Sequence, residues 1–88
     1  MKKILIYEHF TGGGLLNEDL SSDLMNDAKL ILLSIMTSCD RSYNYDYNYF
    51  LDYRLTDYRT DRSIITNESE DLYNLSLIKK YDYILPIL

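Results

Sequence analysis

Met1-Lys2-Lys3-Ile4-Leu5-Ile6-Tyr7-Glu8-His9-Phe10-Thr11-Gly12-Gly13-Gly14-Leu15-Leu16 opens the chain and decides how the rest is read. The apolar run Ile4 to Tyr7 predicts a strand over residues 3–8. The run is continuous rather than alternating, as expected of a central strand covered on both faces. Glu8, His9 and Thr11 fall where that strand ends, and the chain's only three glycines follow. Strand, polar tip, glycine turn and then helix is the opening of an open α/β sheet. Ligands of such sheets collect outside the carboxyl ends of the strands. Glu8, His9, Thr11, Gly12 and Gly13 are therefore the candidate substrate-binding residues.

Further along, Ser21 or Ser22 suits a helix N-cap, with Asp23 in the first turn where the helix dipole favours negative charge. Leu24, Ala28, Ile31, Leu32 and Ile35 share one face at helical spacing. Met25, Leu30, Leu33 and Met36 widen that stripe, so a well-buried helix ending near Thr37-Ser38 is expected. A polar loop, Cys39 to Asn44, leads to a second strand over Tyr45–Leu51. Its period of two places Tyr45, Tyr47 and Tyr49 on one face. The Tyr/Asn-rich segment 43–49 reads as a compositional bias before it reads as a functional array.

Asp52 and Arg54 follow at the strand's carboxyl end, two residues apart, and read as a structural ion pair. Ser63-Ile64-Ile65-Thr66 is a short third strand. Asn67 or Ser69 caps a second helix running to about Lys80, with Leu72, Leu75 and Ile78 inward. Tyr83 to Leu88 is a fourth strand.

These elements predict one α/β domain over residues 1–88. The expected fold is three-layer and Rossmann-like, with a mostly parallel four-stranded sheet in the order 3-2-1-4. The link between strands two and three is shorter than the dozen residues a parallel crossover usually takes. It must be either tight or antiparallel. Two helices cover four strands poorly, and a bare apolar face normally implies a partner. The expectation is a fragment of something longer, or a chain that self-associates through its uncovered sheet.

Composition narrows function. A net charge of −5 leaves no basic face for nucleic acid. The longest apolar run, Leu30 to Ile35, is far short of a bilayer span, and Lys2-Lys3 precedes too few apolar residues for a secretory signal. No membrane partner and a cytoplasmic location are expected. The single Cys39 and single His9 give no multi-ligand metal site. The glycines do not fit G-x-G-x-x-G, since positions 15–17 are Leu-Leu-Asn, and no P-loop pattern occurs. No cofactor and no catalytic residue is assigned to this chain.

The opening string Met1 to Leu15, with Tyr7-Glu8-His9-Phe10-Thr11-Gly12-Gly13-Gly14 within it, resembles the start of ATP-grasp ligases of the tyramine–glutamate ligase type. Leu20 to Lys29 is similar to the first helix of that family, with Asp27-Ala28-Lys29 where Glu-Gly-Arg is usual. Leu51-Asp52-Tyr53-Arg54-Leu55 resembles its Asp-x-Arg-Leu after strand two. Ile84-Leu85-Pro86-Ile87 resembles the strand that runs into Ala-Pro-Glu. The resemblance covers only the pre-ATP-grasp domain. It implies a partner ATP-grasp module, missing from these residues, that binds ATP and Mg²⁺ and activates a carboxylate for attack by an amine. The alternative is a free-standing, non-catalytic α/β binding or adaptor module. In a full-length parent, Gly13→Val is expected to leave folding largely intact and to raise the KM for one substrate, because it blocks approach rather than chemistry.

Overall fold

The structure is a computed structural model and describes residues 1–20, 23–42 and 44–87. Strands β1 (Lys2–Glu8), β2 (Tyr45–Asp52), β3 (Ser63–Thr66) and β4 (Tyr83–Ile87) form one sheet in the order β3-β2-β1-β4. All three pairings are parallel, with Ile4 opposite both Tyr47 and Tyr83, and Leu51 opposite Ile65. The α/β fold, strand order and central position of β1 are as the sequence predicts. The N-cap expected at Ser21 or Ser22 lies outside the described residues, as do the end residues of two predicted segments, Tyr43 and Leu88.

Alternation along the strands sorts the side chains onto two faces. Ile4, Ile6, Tyr47, Tyr49, Leu51 and Ile65 meet helix α1 (Asp23–Asp40) on one face. Leu5, Tyr7, Phe50 and Ile84 line the other, beneath Leu72, Tyr73 and Ile78. Those three residues come from the β3–β4 connection. That connection is not the continuous helix expected up to Lys80. It is a 3-10 turn, Ser69–Tyr73, followed by a single helical turn α2, Leu75–Ile78. Glu68, rather than Asn67 or Ser69, is the N-cap of the 3-10 turn, and its side chain forms a reciprocal capping box with Asp71. Asn74 then starts afresh, its Oδ1 accepting from the Leu77 N–H at 3.2 Å. An N-cap residue is non-helical by nature, so a second cap at 74 breaks the helix in two.

Helix α1 extends past Thr37-Ser38 to Asp40. It buries Met25, Ala28 and Leu32, with Ile35, Met36 and Cys39 partly buried beside them. The inward face is thus rotated from the expected one, and Leu24, Leu30, Ile31 and Leu33 are exposed. Two side groups fix that rotation. Lys29 Nζ lies over the Tyr58 ring at 5.5 Å, and Asp40 Oδ1 accepts from the Tyr47 hydroxyl at 2.8 Å. A helix with sheet on one side only can bury one stripe, so its remaining apolar residues stay in water. No helix among the described residues is long and apolar enough to cross a membrane.

The short β2–β3 link is parallel and tight. Residues 53–62 make the return with one 3-10 turn, Thr56–Tyr58. Tyr49, fully buried, holds this return through its hydroxyl, which donates to the Tyr58 carbonyl at 2.7 Å and lies 2.9 Å from Thr60 Oγ1. Tyr47 stacks on Tyr49 with ring centroids 6.5 Å apart, and the Arg62 guanidinium covers Tyr47 at 4.4 Å. Arg62 also pairs with the Asp46 carboxylate. Tyr47 and Tyr49 of the tyrosine-rich segment are therefore core, while Tyr45 is exposed.

Tyr49→Phe keeps the ring but removes the hydroxyl from the return. It should lower stability by about 1 kcal/mol in urea unfolding, whereas Leu33→Gln on the exposed side of α1 should stay within about 0.5 kcal/mol. The tyrosines also set an alkaline limit. Burial raises the Tyr47 phenol well above its ordinary range, with Asp40 adding to the effect. Burial likewise raises Tyr7 and Tyr81. A raised pKa means the native state holds its protons longer than the unfolded chain. The stability these groups contribute is complete below the unfolded tyrosine pKa, near 10, and is lost as pH rises above it. Tyr47→Phe should flatten the loss of stability above that pH, read as denaturation midpoints in a series of alkaline buffers.

Candidate functional site

The carboxyl edge of the sheet carries the turn after β1, and one residue there touches most of its neighbours. Thr11 is completely buried. Its N–H and its hydroxyl both donate to Glu8 Oε1, at 2.7 and 2.8 Å. Its carbonyl accepts the Asp52 N–H at 2.7 Å. Glu8 is itself only 2% exposed, so its carboxylate serves as the internal acceptor for the turn it begins. The turn is fastened to every strand. His9 N–H donates to the Ile87 carbonyl of β4 at 3.0 Å. The Thr66 hydroxyl of β3 lies 3.1 Å from both the Gly12 and the Leu51 carbonyl oxygens, which share its one proton.

Asp52 and Arg54 form the second half of the edge. Asp52 is fully buried, and Arg54 Nε and Nη2 reach its two carboxylate oxygens at 3.0 and 2.8 Å. The forked pair uses the planar geometry of guanidinium and carboxylate. The same guanidinium donates to the Glu18 and Leu15 carbonyls at 2.5 and 2.6 Å. Hydrogen bonding to Asp52 raises the Arg54 pKa, so the cation is secure. Asp52-Tyr53-Arg54 thus clamps the loop that leads away from the glycines.

The structure brings Glu8, His9, Thr11, Gly12 and Gly13 together at the carboxyl edge. Glu8, Thr11, Gly12 and Gly13 are nevertheless buried, and His9 is half-buried. Gly12 spends its N–H on the Glu8 carbonyl at 2.7 Å. Gly13 has φ +108°, in the region that favours glycine, and a Cβ there would lie 2.5 Å from Thr66 Oγ1. A Cβ at Gly14 would run into the His9 ring. The glycines make room for the protein's own Thr66 and His9. The expectation that Gly13→Val leaves folding intact is corrected on that ground: the valine meets Thr66 before it meets any substrate.

His9 remains the one ionisable candidate with partial exposure. Its Nδ1 lies 3.1 Å from the Tyr7 hydroxyl, and its ring meets Tyr7 and Phe10 edge-on. Among the described residues no group of three or more His, Cys, Asp or Glu is placed to hold a metal ion. No buried side-chain nitrogen or oxygen among them lacks a hydrogen-bond partner. Thr66 was not singled out from sequence, although its place opposite Asp52 in the register brings it to the glycine turn. Tyr7 was read only as part of an apolar run. Splitting β1 into its two faces separates it from Ile4 and Ile6 and sends it to the far side of the sheet.

Thr11→Val removes a hydroxyl donor from a buried carboxylate and should cost about 1–3 kcal/mol in chemical denaturation, with Thr11→Ser restoring most of it. Gly13→Ala should cost at least as much, about 1–3 kcal/mol, because the positive φ and the Thr66 contact both oppose it. A scan against protein-family models finds no match to this chain, and neither a search of curated proteins nor a search of solved structures finds a matching one.

Proposed function

We propose that the chain is the N-terminal, substrate-side domain of an ATP-dependent carboxylate–amine ligase of the ATP-grasp kind, with no catalysis of its own. What supports the reading is that two of the four strings carrying the sequence resemblance, the opening one and Leu51 to Leu55, are bonded to each other. The Thr11 carbonyl accepts the Asp52 N–H, and Arg54 donates to the Leu15 carbonyl. A sheet in the order β3-β2-β1-β4 puts both strings at one carboxyl edge, where open α/β sheets receive ligands.

In this reading Glu8, Thr11, Gly12 and Gly13 shape the turn, and substrate contact falls to His9 and to exposed Gly14. ATP and Mg²⁺ belong, in this reading, to the separate ATP-grasp module that the resemblance implies. A second reading, a free-standing non-catalytic binding or adaptor module of the cytoplasm, draws on a different observation. The turn is saturated by its own bonds and is not an open cradle.

The test is genetic and then biochemical. The coding sequence after Leu88 should continue, or be neighboured by, an ATP-grasp module. ADP release should then require that module together with this chain, an amine and an acid. His9→Ala should raise the KM for one of the two substrates with kcat little changed, the pattern of lost uniform binding. A stop codon with no ATP-grasp module nearby would leave the adaptor reading standing.

A further inference from the structure

We propose that the cavity beneath the β3–β4 connection is a binding site for a small uncharged molecule with a single aromatic ring. The cavity has a volume of about 210 Å³ and is walled by Leu5, Tyr7, Phe50, Leu72, Tyr73, Ile78 and Ile84. None of these side chains carries a charge. The space is open to solvent along Tyr73 and Ile84, which are 75% and 50% exposed, and is larger than the closed apolar cavity of about 150 Å³ that accepts benzene, so one ring fits here with room for a short substituent. Two walls are aromatic. Tyr7 and Phe50 meet at 81° with centroids 6.3 Å apart, which offers an entering ring both an edge and a face.

The cavity lies on the opposite side of the sheet from α1, and it persists for a local reason. From Asn67 to Asp82, leaving aside Ser69 and Glu70, no residue is buried, so this thin layer rests on the sheet without filling it. One polar feature is fixed in position. The Tyr7 hydroxyl is held by His9 Nδ1 at 3.1 Å, and burial keeps the phenol protonated above its ordinary range, with Tyr73 close enough to add to the effect. A ligand hydroxyl would find a neutral partner there. An ammonium would lose its hydration with no anion among the walls; the Glu8 carboxylate, whose charge also raises Tyr7, lies outside them and already accepts two hydrogen bonds from Thr11. The proposal does not rest on the ligase reading.

The probes are benzyl alcohol and benzylamine, titrated separately into the intact chain and followed by methyl NMR and thermal melting. Benzyl alcohol should give saturable shifts at Leu5, Leu72, Ile78 and Ile84, none at Leu24 or Leu33, and a raised melting temperature. Benzylamine should bind about tenfold or more weakly. Leu72→Phe, or Ile78→Phe if the first does not fold, should fill the space and abolish the shifts. Shifts that fail to saturate, equal or tighter binding of the amine, or undiminished binding in a folded filled variant would each overturn the proposal. Should neither variant fold, the wild-type methyl map and the alcohol-to-amine ratio decide it.

Discussion

Two carboxylates are taken out of water at the carboxyl ends of adjacent strands, and the architecture of that edge follows from satisfying them. Glu8 and Asp52 are both almost completely buried. An ionised carboxylate without partners is among the costliest groups to bury. Glu8 is met by bending the chain back on itself, so that Thr11 presents both its N–H and its hydroxyl. Asp52 is met by Arg54, two residues on, and by the Arg54 N–H at 3.0 Å. The two solutions then lock together through the Thr11 carbonyl and the Asp52 N–H. Loops over sheet edges are usually the softest part of an α/β domain. Here the loop is the place where the buried charge is resolved, and its shape is correspondingly fixed.

The rest of the molecule is built economically around that edge. One long helix covers one face, and it does so with a single stripe. The other face is covered by two separate turns of helix, each with its own cap. At the outer edge, Tyr83, Ile84 and Leu85 of β4 remain exposed. The sheet's interior is consequently concentrated in β1 and β2, where Leu5, Ile6, Tyr49 and Leu51 are essentially inaccessible. Aromatic hydroxyls carry an unusual share of the cohesion. Tyr47 reaches α1, Tyr49 reaches the β2–β3 return, and Tyr81 donates to Asn48 Oδ1 at 2.7 Å.

The sheet was legible in the sequence because strand identity rests on local pattern. Ile4 to Tyr7, Phe50-Leu51 and Ile64-Ile65 are apolar runs bounded by polar residues, and the uniformly apolar first strand belongs at the centre; the direction of β3 was not legible, because a link as short as residues 53–62 suits a tight parallel return or an antiparallel one. The orientation of α1 was not legible. Nearly every position from Leu24 to Met36 that is not polar is aliphatic, so the stripe is too wide to show which part turns inward. Lys29 on Tyr58 and Asp40 on Tyr47 decide it, and both are tertiary contacts. The second helix failed for a similar reason, since dipole-matched charges at both ends describe a helix as well as they describe two capped turns. At the site, the residues were legible but their direction was not. Nothing in Thr11-Gly12-Gly13 says whether the space beside a glycine belongs to a ligand or to Thr66.

The pairing of β1 has a kinetic consequence. This strand is made before the other three of its sheet, yet one of its two edges is satisfied by residues 83–87. Its pairing with β4 and the Lys3 N–H bond to Asp82, 79 residues away, are among the longest-range contacts in the chain. Closing a chain segment of that length precedes any reward from the contacts it forms, and such topologies assemble slowly. During synthesis β1, β2 and β3 can associate first, leaving the open edge of the most apolar strand available to any other extended segment. The interval before β4 docks is therefore when a nascent chain is most exposed to wrong pairing with a neighbour, and chaperones that mask strand edges would act on this species rather than on the finished domain.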